Sequence, residues 1–152
     1  MLSEGGVGLP LESDSWMELL GVLNLASAEE VKGFVDGILP TLESYGLEVI
    51  ESRTGILMLP MYDQAQGARF FVGELLVAEA KVKLRGTIGY SMCLGRDREH
   101  ALATAILDAA VRAGLFRDEI VRFAEGLGRT LKREEEKLLR TVEATRVEME
   151  NF

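Results

Sequence analysis

Six consecutive residues, Gly95–His100, form the densest group of polar side chains next to an apolar segment. If a helix begins here, its first backbone N–H groups carry partial positive charge, and Arg96, Arg98 and His100 could join them in binding a phosphate-like anion. The alternative is that Asp97 caps the helix while the remaining charges are hydrated, as at many helix starts. The sequence leaves both interpretations open.

Two residue types that often carry chemistry occur only once each. His100, the only histidine, cannot build a multi-histidine metal site, but it could be a general acid or base or an ordinary residue of a first helical turn. Cys93, the only cysteine, excludes an intrachain disulfide and a cysteine-rich zinc site. It is either a small core residue or a nucleophile. We find no metal-ligand set and no nucleophile–base set, so no metal is expected and catalytic residues stay unassigned.

Glu74 interrupts the apolar face of a long strand pattern. A buried carboxylate is costly unless it is paired, and Arg69 or Arg96 could be its partner. The other explanation is a β-bulge near Gly73 that turns Glu74 towards solvent. In both cases we expect a structural role for Glu74, and Arg69 joins the candidate anion ligands.

The charge balance excludes several classes of partner. The formal net charge is −8, with 47% apolar and 28% charged residues; this is typical of a folded protein and unfavourable for binding nucleic acid or an anionic membrane. No apolar run approaches the roughly 20 residues that span a bilayer, and no signal-peptide pattern is present, so the cytoplasm is the expected location. We expect residues 1–12 to be a flexible leader and residues 13–152 a single domain.

Cap residues and apolar periodicity predict four helices. They cover approximately Ser15–Asn24, Ala28–Leu39, Arg98–Ala113 and Arg117–Asn151. Pro40 disfavours continuation of the second helix, although one further turn could follow. Asp97 is a suitable cap for the third helix.

Between the helical regions, the pattern is that of a mainly antiparallel sheet. Four strands are predicted, over Leu47–Arg53, Ile56–Met61, Arg69–Arg85 and Thr87–Leu94. Thr54-Gly55 and Gly86 are the expected turns, and structural roles are also expected for Gly89 and Gly95. One face of the third strand should be buried, formed by Phe70, Val72, Leu76, Ala78, Ala80, Val82 and Leu84. The predicted fold is α+β: two helices, four strands and two helices.

The last predicted helix is longer than a domain of this size needs, and its apolar stripe is narrow. Packing against another chain would use such a stripe. We therefore expect Leu131, Leu138 and Val142 to contact a partner. In isolation the chain could also form a homo-oligomer.

The sequence resembles the PhnG family across roughly Val49–Val111, and more loosely in the last helix. The motifs that carry the resemblance are, in chain order, Gly67-Ala-Arg-Phe-Phe-Val-Gly-Glu74, Val82-Lys-Leu84, Gly86-Thr-Ile-Gly89, Gly95-Arg-Asp97 with Ala101 following, and Thr145-Arg-Val-Glu-Met149. Their order and spacing together are similar to the family pattern.

The resemblance implies a subunit of the phosphonate carbon–phosphorus lyase core complex, which acts in alkylphosphonate catabolism. In that complex a phosphonate displaces adenine from ATP to form a ribose 1-phosphonate 5-triphosphate. The implied partners are the other core subunits, ATP is a substrate of the complex, and this chain alone is expected to bind no cofactor. Its implied role is mainly structural, as a supporting subunit of a transferase. The competing hypotheses are an independent anion- or nucleotide-binding module and a self-associating protein without a phosphonate role.

Overall fold

A computed structural model describes residues 13–146. In chain order this part of the protein forms two helices, three strands and two helices, which confirms the α+β class and the helical regions before and after the sheet. Their bounds are Ser13–Leu25 (α1), Ala28–Ser44 (α2), Glu48–Asp63 (β1), Ala68–Leu84 (β2), Thr87–Leu94 (β3), Arg98–Arg112 (α3) and Arg117–Ala144 (α4). The last helix ends at Ala144, with Thr145 as its C-cap, and not at the predicted Asn151. The predicted leader and residues 147–152 lie outside the described range.

The sheet of the described chain has three antiparallel strands in the order β1–β2–β3, so the prediction of four strands is wrong. The expected turn at Thr54-Gly55 does not form, because these residues pair with Ala78 and Val77 of β2. β2 is long enough to provide backbone partners on both sides of Gly55. The two short strands predicted there are therefore one continuous strand.

The second helix is longer than the predicted Ala28–Leu39, because α2 continues through Pro40 to Ser44. Proline inside a helix removes a backbone hydrogen bond and costs about 3 kcal/mol. Leu42, in the turn that follows, is fully buried, and burying a leucine side chain contributes about 1.5–3 kcal/mol. Core packing therefore offsets the local effect of the proline.

A two-residue turn joins β2 to β3 at the predicted Gly86. Arg85 and Gly86 have φ angles of 52° and 79°, and a type I′ hairpin turn requires positive φ at both central residues. The guanidinium of Arg85 lies over the ring of Tyr45, 5.1 Å from its centroid. This cation–π contact ties the turn to the end of α2.

α3 packs directly on one face of the sheet, which we call the inner face. A Cβ atom at Gly89 would overlap the carbonyl oxygen of Ala105 and would lie 2.6 Å from Cβ of Ala109. Ser91 and Cys93, the next inner-face residues of β3, are also small and buried. Gly89 is thus the point of closest approach between helix and sheet.

The core lies between the inner face and the four helices of the described chain. Phe34 of α2 stacks on Phe123 of α4, with ring centroids 4.2 Å apart. Five elements each contribute a large, fully buried side chain: Leu23, Leu42, Leu84, Leu107 and Ile120. The helices are thereby held to the half of the sheet that β3 completes.

Beyond β3 and the helices, β1 and β2 continue as a two-stranded ribbon. β3 ends at Leu94, opposite Val77, whereas the β1–β2 ladder continues to Asp63 and Ala68. We call residues 56–76 the β-arm. About half of β2 lies in it.

A β-bulge in the β-arm changes which side chains share a face. Val72 has no partner in β1, so the alternation of side chains shifts at this residue. Phe71, rather than Phe70, consequently shares the face of Leu76. The prediction that Phe70 and Val72 are buried is wrong, because none of the helices within residues 13–146 covers the β-arm and both side chains are exposed.

Candidate functional site

The N-terminus of α3, the predicted anion site, is capped by Asp97. Its carboxylate accepts a hydrogen bond of 2.9 Å from the backbone N–H of His100 and lies 3.2 Å from Nζ of Lys32 on α2. The hydrogen bond from His100, followed by the ammonium of Lys32, holds the pKa of Asp97 below its ordinary value. A carboxylate of the chain itself therefore occupies this end of the helix.

The predicted anion ligands do not converge on one place. Arg96 and Arg98 are exposed, and neither forms an ion pair with any residue in the range 13–146. Arg69 lies in the β-arm, with its guanidinium 5.9 Å from the ring centroid of Phe71. It is eight residues along β2 from Val77, the partner of Leu94, which is roughly 26 Å in an extended strand. Arg69 is thus far from the start of α3.

His100 points into the protein rather than towards solvent. Its side chain is buried, and Nε2 lies 2.8 Å from the backbone carbonyl oxygen of Leu23. Because a carbonyl oxygen can only accept, Nε2 donates the proton in this contact. His100 therefore links α3 to the end of α1.

Glu74 lies in the β-arm opposite Met58 and is exposed. It forms no ion pair with Arg69, Arg96 or another residue of the described range. The bulge is at Val72, and Glu74 keeps the face of Leu76 and Ala78. The premise that this face is buried at Glu74 is wrong, because the layer of helices ends before the β-arm.

Asp108, which the sequence analysis missed, joins three elements. Its Oδ1 accepts hydrogen bonds from Nε1 of Trp16 at 2.8 Å and from Nε of Arg112 at 2.9 Å, and its Oδ2 accepts one of 2.9 Å from the backbone N–H of Tyr90. The carboxylate is buried, so these three donors replace its hydration. A lone aspartate inside the apolar run of α3 was the available sequence signal.

A second internal polar cluster surrounds Cys93. The amide oxygen of Asn24 accepts hydrogen bonds from Oγ of Ser91 at 3.0 Å and from Sγ of Cys93 at 3.1 Å. Burial raises the pKa of the Cys93 thiol, which favours the neutral form. The geometry is that of a packed core thiol rather than an activated nucleophile.

The face of the sheet opposite α3, the outer face, carries a hydrogen-bonded polar group around Glu79. The carboxylate of Glu79 accepts hydrogen bonds from Nε of Arg53 at 2.8 Å and from the hydroxyl of Tyr90 at 2.7 Å. Burial, together with the bond to Glu79, raises the pKa of Tyr90 to about 12. The hydroxyl thus stays protonated at neutral pH and acts as a donor.

Large apolar side chains surround this polar group and extend along the β-arm. On the outer face the exposed ones are Leu57, Leu59, Met61, Phe70, Ile88 and Leu94. On the other face of the β-arm they are Ile56, Met58, Tyr62 and Phe71. The β-arm is therefore apolar on both faces.

The second half of α4 is a further exposed apolar element. Ile120, Ala124 and Leu127, in its first half, are buried, whereas Leu138 and Val142 are exposed. Leu131 lies between them and is half-buried. The stripe predicted from the sequence thus starts in the core and continues onto the surface.

Residues 13–146 offer neither a metal site nor a membrane-spanning helix. No cluster of three or more histidine, cysteine, aspartate or glutamate side chains in this range could hold a metal ion. No helix in it has the length and apolar content needed to cross a bilayer.

Comparison with known proteins agrees with the resemblance of the motifs. The family model described as phosphonate metabolism protein PhnG matches residues 14–152. A curated relative from Rhizobium meliloti (strain 1021), named alpha-D-ribose 1-methylphosphonate 5-triphosphate synthase subunit PhnG, is 30% identical over 96 residues. The alignment covers 62% of this chain and 62% of the relative, so the chain spans less than two-thirds of that protein. With the family model matching nearly its whole length, the chain belongs to the PhnG family of phosphonate metabolism proteins.

Proposed function

We propose that this chain is an assembly subunit of a synthase complex that produces ribose 1-methylphosphonate 5-triphosphate. In the proposed reaction a phosphonate displaces adenine from the ribose of ATP. The chain would hold the other core subunits together while the reaction takes place on them. Because ATP is the substrate, we place the complex in the cytoplasm.

The observation that carries this proposal is the apolar surface of the β-arm and of the second half of α4. Phe71 and Val72 are 54% and 58% exposed, and Leu138 is 63% exposed. Contiguous exposed apolar surfaces are typical of protein–protein interfaces. The relative that is named as a synthase subunit supports the same role.

The start of α3 supports a structural rather than a ligand-binding role for this chain. Asp97 caps the helix, and Lys32 is within 3.3 Å of both Asp97 and Glu99. A phosphate group placed there would approach two carboxylates. We therefore propose that ATP and phosphonate bind to partner subunits and that this chain needs no cofactor of its own.

Reconstitution tests the proposal. The chain is co-expressed with the other core subunits of the proposed complex, and the complete complex is compared with one assembled without this chain. Adenine released from ATP and methylphosphonate is measured by chromatography. We expect release to require this chain, and we expect calorimetry of the isolated chain with either substrate to show no binding. Tight binding of ATP to the isolated chain would instead support the independent module, and unchanged adenine release without the chain would contradict the assembly role.

A further inference from the structure

The β-arm has an open strand edge as well as apolar faces. Building on the proposed function, we propose that a β-strand of a different subunit pairs with the edge of β2 along residues 68–76, in line with β3. The added strand would be apolar on both of its own faces. The β-arm would then be the central part of a sheet shared by two proteins.

The edge is open because β3 ends early. The backbone N–H of Gly95 donates to the carbonyl oxygen of Leu76 at 2.8 Å, and the chain then leaves the sheet to enter α3. In an antiparallel ladder, every second residue directs both its N–H and its C=O to the same side. Glu74 therefore points its backbone groups to the same side as Leu76. No strand of the described chain pairs with β2 on that side of residues 68–76.

The opposite edge of the β-arm, formed by β1, is less suited to pairing. Ile56 lies opposite Leu76, so its backbone groups, like those of Met58 and Pro60, point away from β2. Proline has no N–H to donate, and proline on an edge strand discourages the addition of another strand. Residues 68–76 contain no proline. Of the two edges, that of β2 keeps a backbone N–H at every residue, and an added strand would have to match the shift of alternation at Val72.

The faces of the β-arm define the chemistry of the added strand. It would lie beside Phe71 on one face and Phe70 on the other, and both are exposed. On the outer face it would also approach Leu94, which is 65% exposed at the end of β3. Side chains of neighbouring strands pack in register. The complementary segment is therefore a short run of consecutive apolar residues, not an alternating one.

A different chain fits this edge better than a second copy. On the edge of β3 that faces away from β2, the backbone N–H of Tyr90 already donates to Asp108, and Pro60 interrupts the edge of β1 within the β-arm. The edge of a second copy that lacks proline along the β-arm is its own β2 edge, and pairing there would bring together two chains of net charge −8. Repulsion between such chains disfavours that arrangement.

Two proline substitutions, at Glu74 and at its cross-strand partner Met58, test the proposal. Glu74→Pro removes a backbone donor from the open edge, whereas Met58→Pro removes one from the opposite edge and restricts the backbone similarly. When each variant is co-expressed with the other core subunits, we expect Glu74→Pro to reduce the amount of co-purified partner about tenfold, because an edge contact is lost. Met58→Pro and the charge control Glu74→Gln should stay within about twofold of the parent.

Hydrogen exchange of the unmodified protein gives a second measurement that does not depend on a variant folding. Those amides of residues 68–76 that point to the open edge, Glu74 among them, should exchange at least about tenfold more slowly in the complex than in the isolated chain. A single apolar segment of one identified partner should become protected at the same time. Equal exchange in both states, or equal partner recovery with both proline variants, would overturn the edge pairing.

Two further outcomes are distinguishable. If the parent chain recovers no sister subunit at all, the proposed function itself fails. If the parent assembles normally but the β2 edge stays unprotected, only the edge pairing fails. A homodimer that Glu74→Pro abolishes would assign the edge to a second copy and would also overturn the proposal.

Discussion

The two halves of β2 are both rich in apolar residues, but their surroundings are opposite. Ala78, Ala80, Val82 and Leu84 are fully buried between α3 and the neighbouring strands. In the other half, Phe70, Phe71 and Val72 are exposed. Burial is therefore set by the elements that pack on the strand and not by the strand's own composition.

The same contrast occurs within α4. Its first half packs on α1, and its second half extends beyond the core with Leu138 and Val142 exposed. A helix and a ribbon thus each begin in the core and end on the surface. In both cases the buried part maintains the fold, and the exposed part is available to a partner.

The largest expected effect distinguishes the two halves of β2 directly. Leu84→Ala should lower the free energy of unfolding of the isolated chain by about 3 kcal/mol, because it leaves a cavity in the core. Phe71→Ala should change the free energy of unfolding by less than about 0.5 kcal/mol, because the Phe71 side chain is exposed and its removal leaves no cavity in the core. Urea denaturation followed by circular dichroism measures both. Equal destabilisation would mean that the β-arm packs against the rest of the chain.

A smaller effect is expected where α3 meets the sheet. Gly89→Ala should destabilise the chain by about 2 kcal/mol, because its new methyl group would overlap the backbone of α3. Gly55→Ala is the matched control, since no atom of the described residues lies within 4 Å of a Cβ built there. Thermal unfolding of the two variants should show a clear fall in Tm for Gly89→Ala alone. A similar fall for both would attribute the effect to strand backbone rather than to packing.

At the start of α3, where the chain leaves the sheet, Asp97→Ala should cost about 1 kcal/mol, the usual loss of a helix cap. Because the pKa of Asp97 is lowered in the folded protein, its stabilisation is complete above the ordinary value of about 3.9 and is lost as the pH falls through the lower folded value. Urea denaturation from pH 7 downwards should show the variant and the parent converging at acidic pH. Adenine release by the assembled complex should be unaffected; a selective loss of release would revive the anion site.

The smallest effect on stability is expected in the second half of α4. The double substitution Leu138→Glu and Val142→Glu should change the free energy of unfolding by less than about 0.5 kcal/mol, since both side chains are exposed. It should nevertheless reduce partner recovery in co-expression. Arg140→Glu makes the same change in net charge on the other side of the helix and should leave recovery unchanged. Full recovery with the double variant would limit the interface to the β-arm.

Local patterns were sufficient for the features that depend on near neighbours in sequence. α3 begins after Asp97, and the hairpin turn includes Gly86, because caps and turns are decided by a few adjacent residues. The single strand through Gly55 could not be deduced in this way. Its continuity depends on the matching length of β2.

The contacts of the candidate site were harder to predict from the sequence than the fold was. His100 was placed correctly in the first turn of a helix, but its contact with the carbonyl of Leu23 depends on how α1 packs. Asp108 was missed because its donors, Trp16 and Tyr90, are distant in sequence and arrive from other elements. Polar contacts between elements have no periodic signal along the chain.

By itself, the sequence determined the α+β class, most helix positions, the alternation in β2 and β3, and the motifs of the PhnG family. It did not determine which alternating set of β3 is buried. Gly89, Ser91 and Cys93 face the core, while the larger Ile88 and Leu94 face outward, because α3 must approach the sheet closely. Only the tertiary structure decided this, and only it showed that β2 extends past its covering layer into an exposed β-arm.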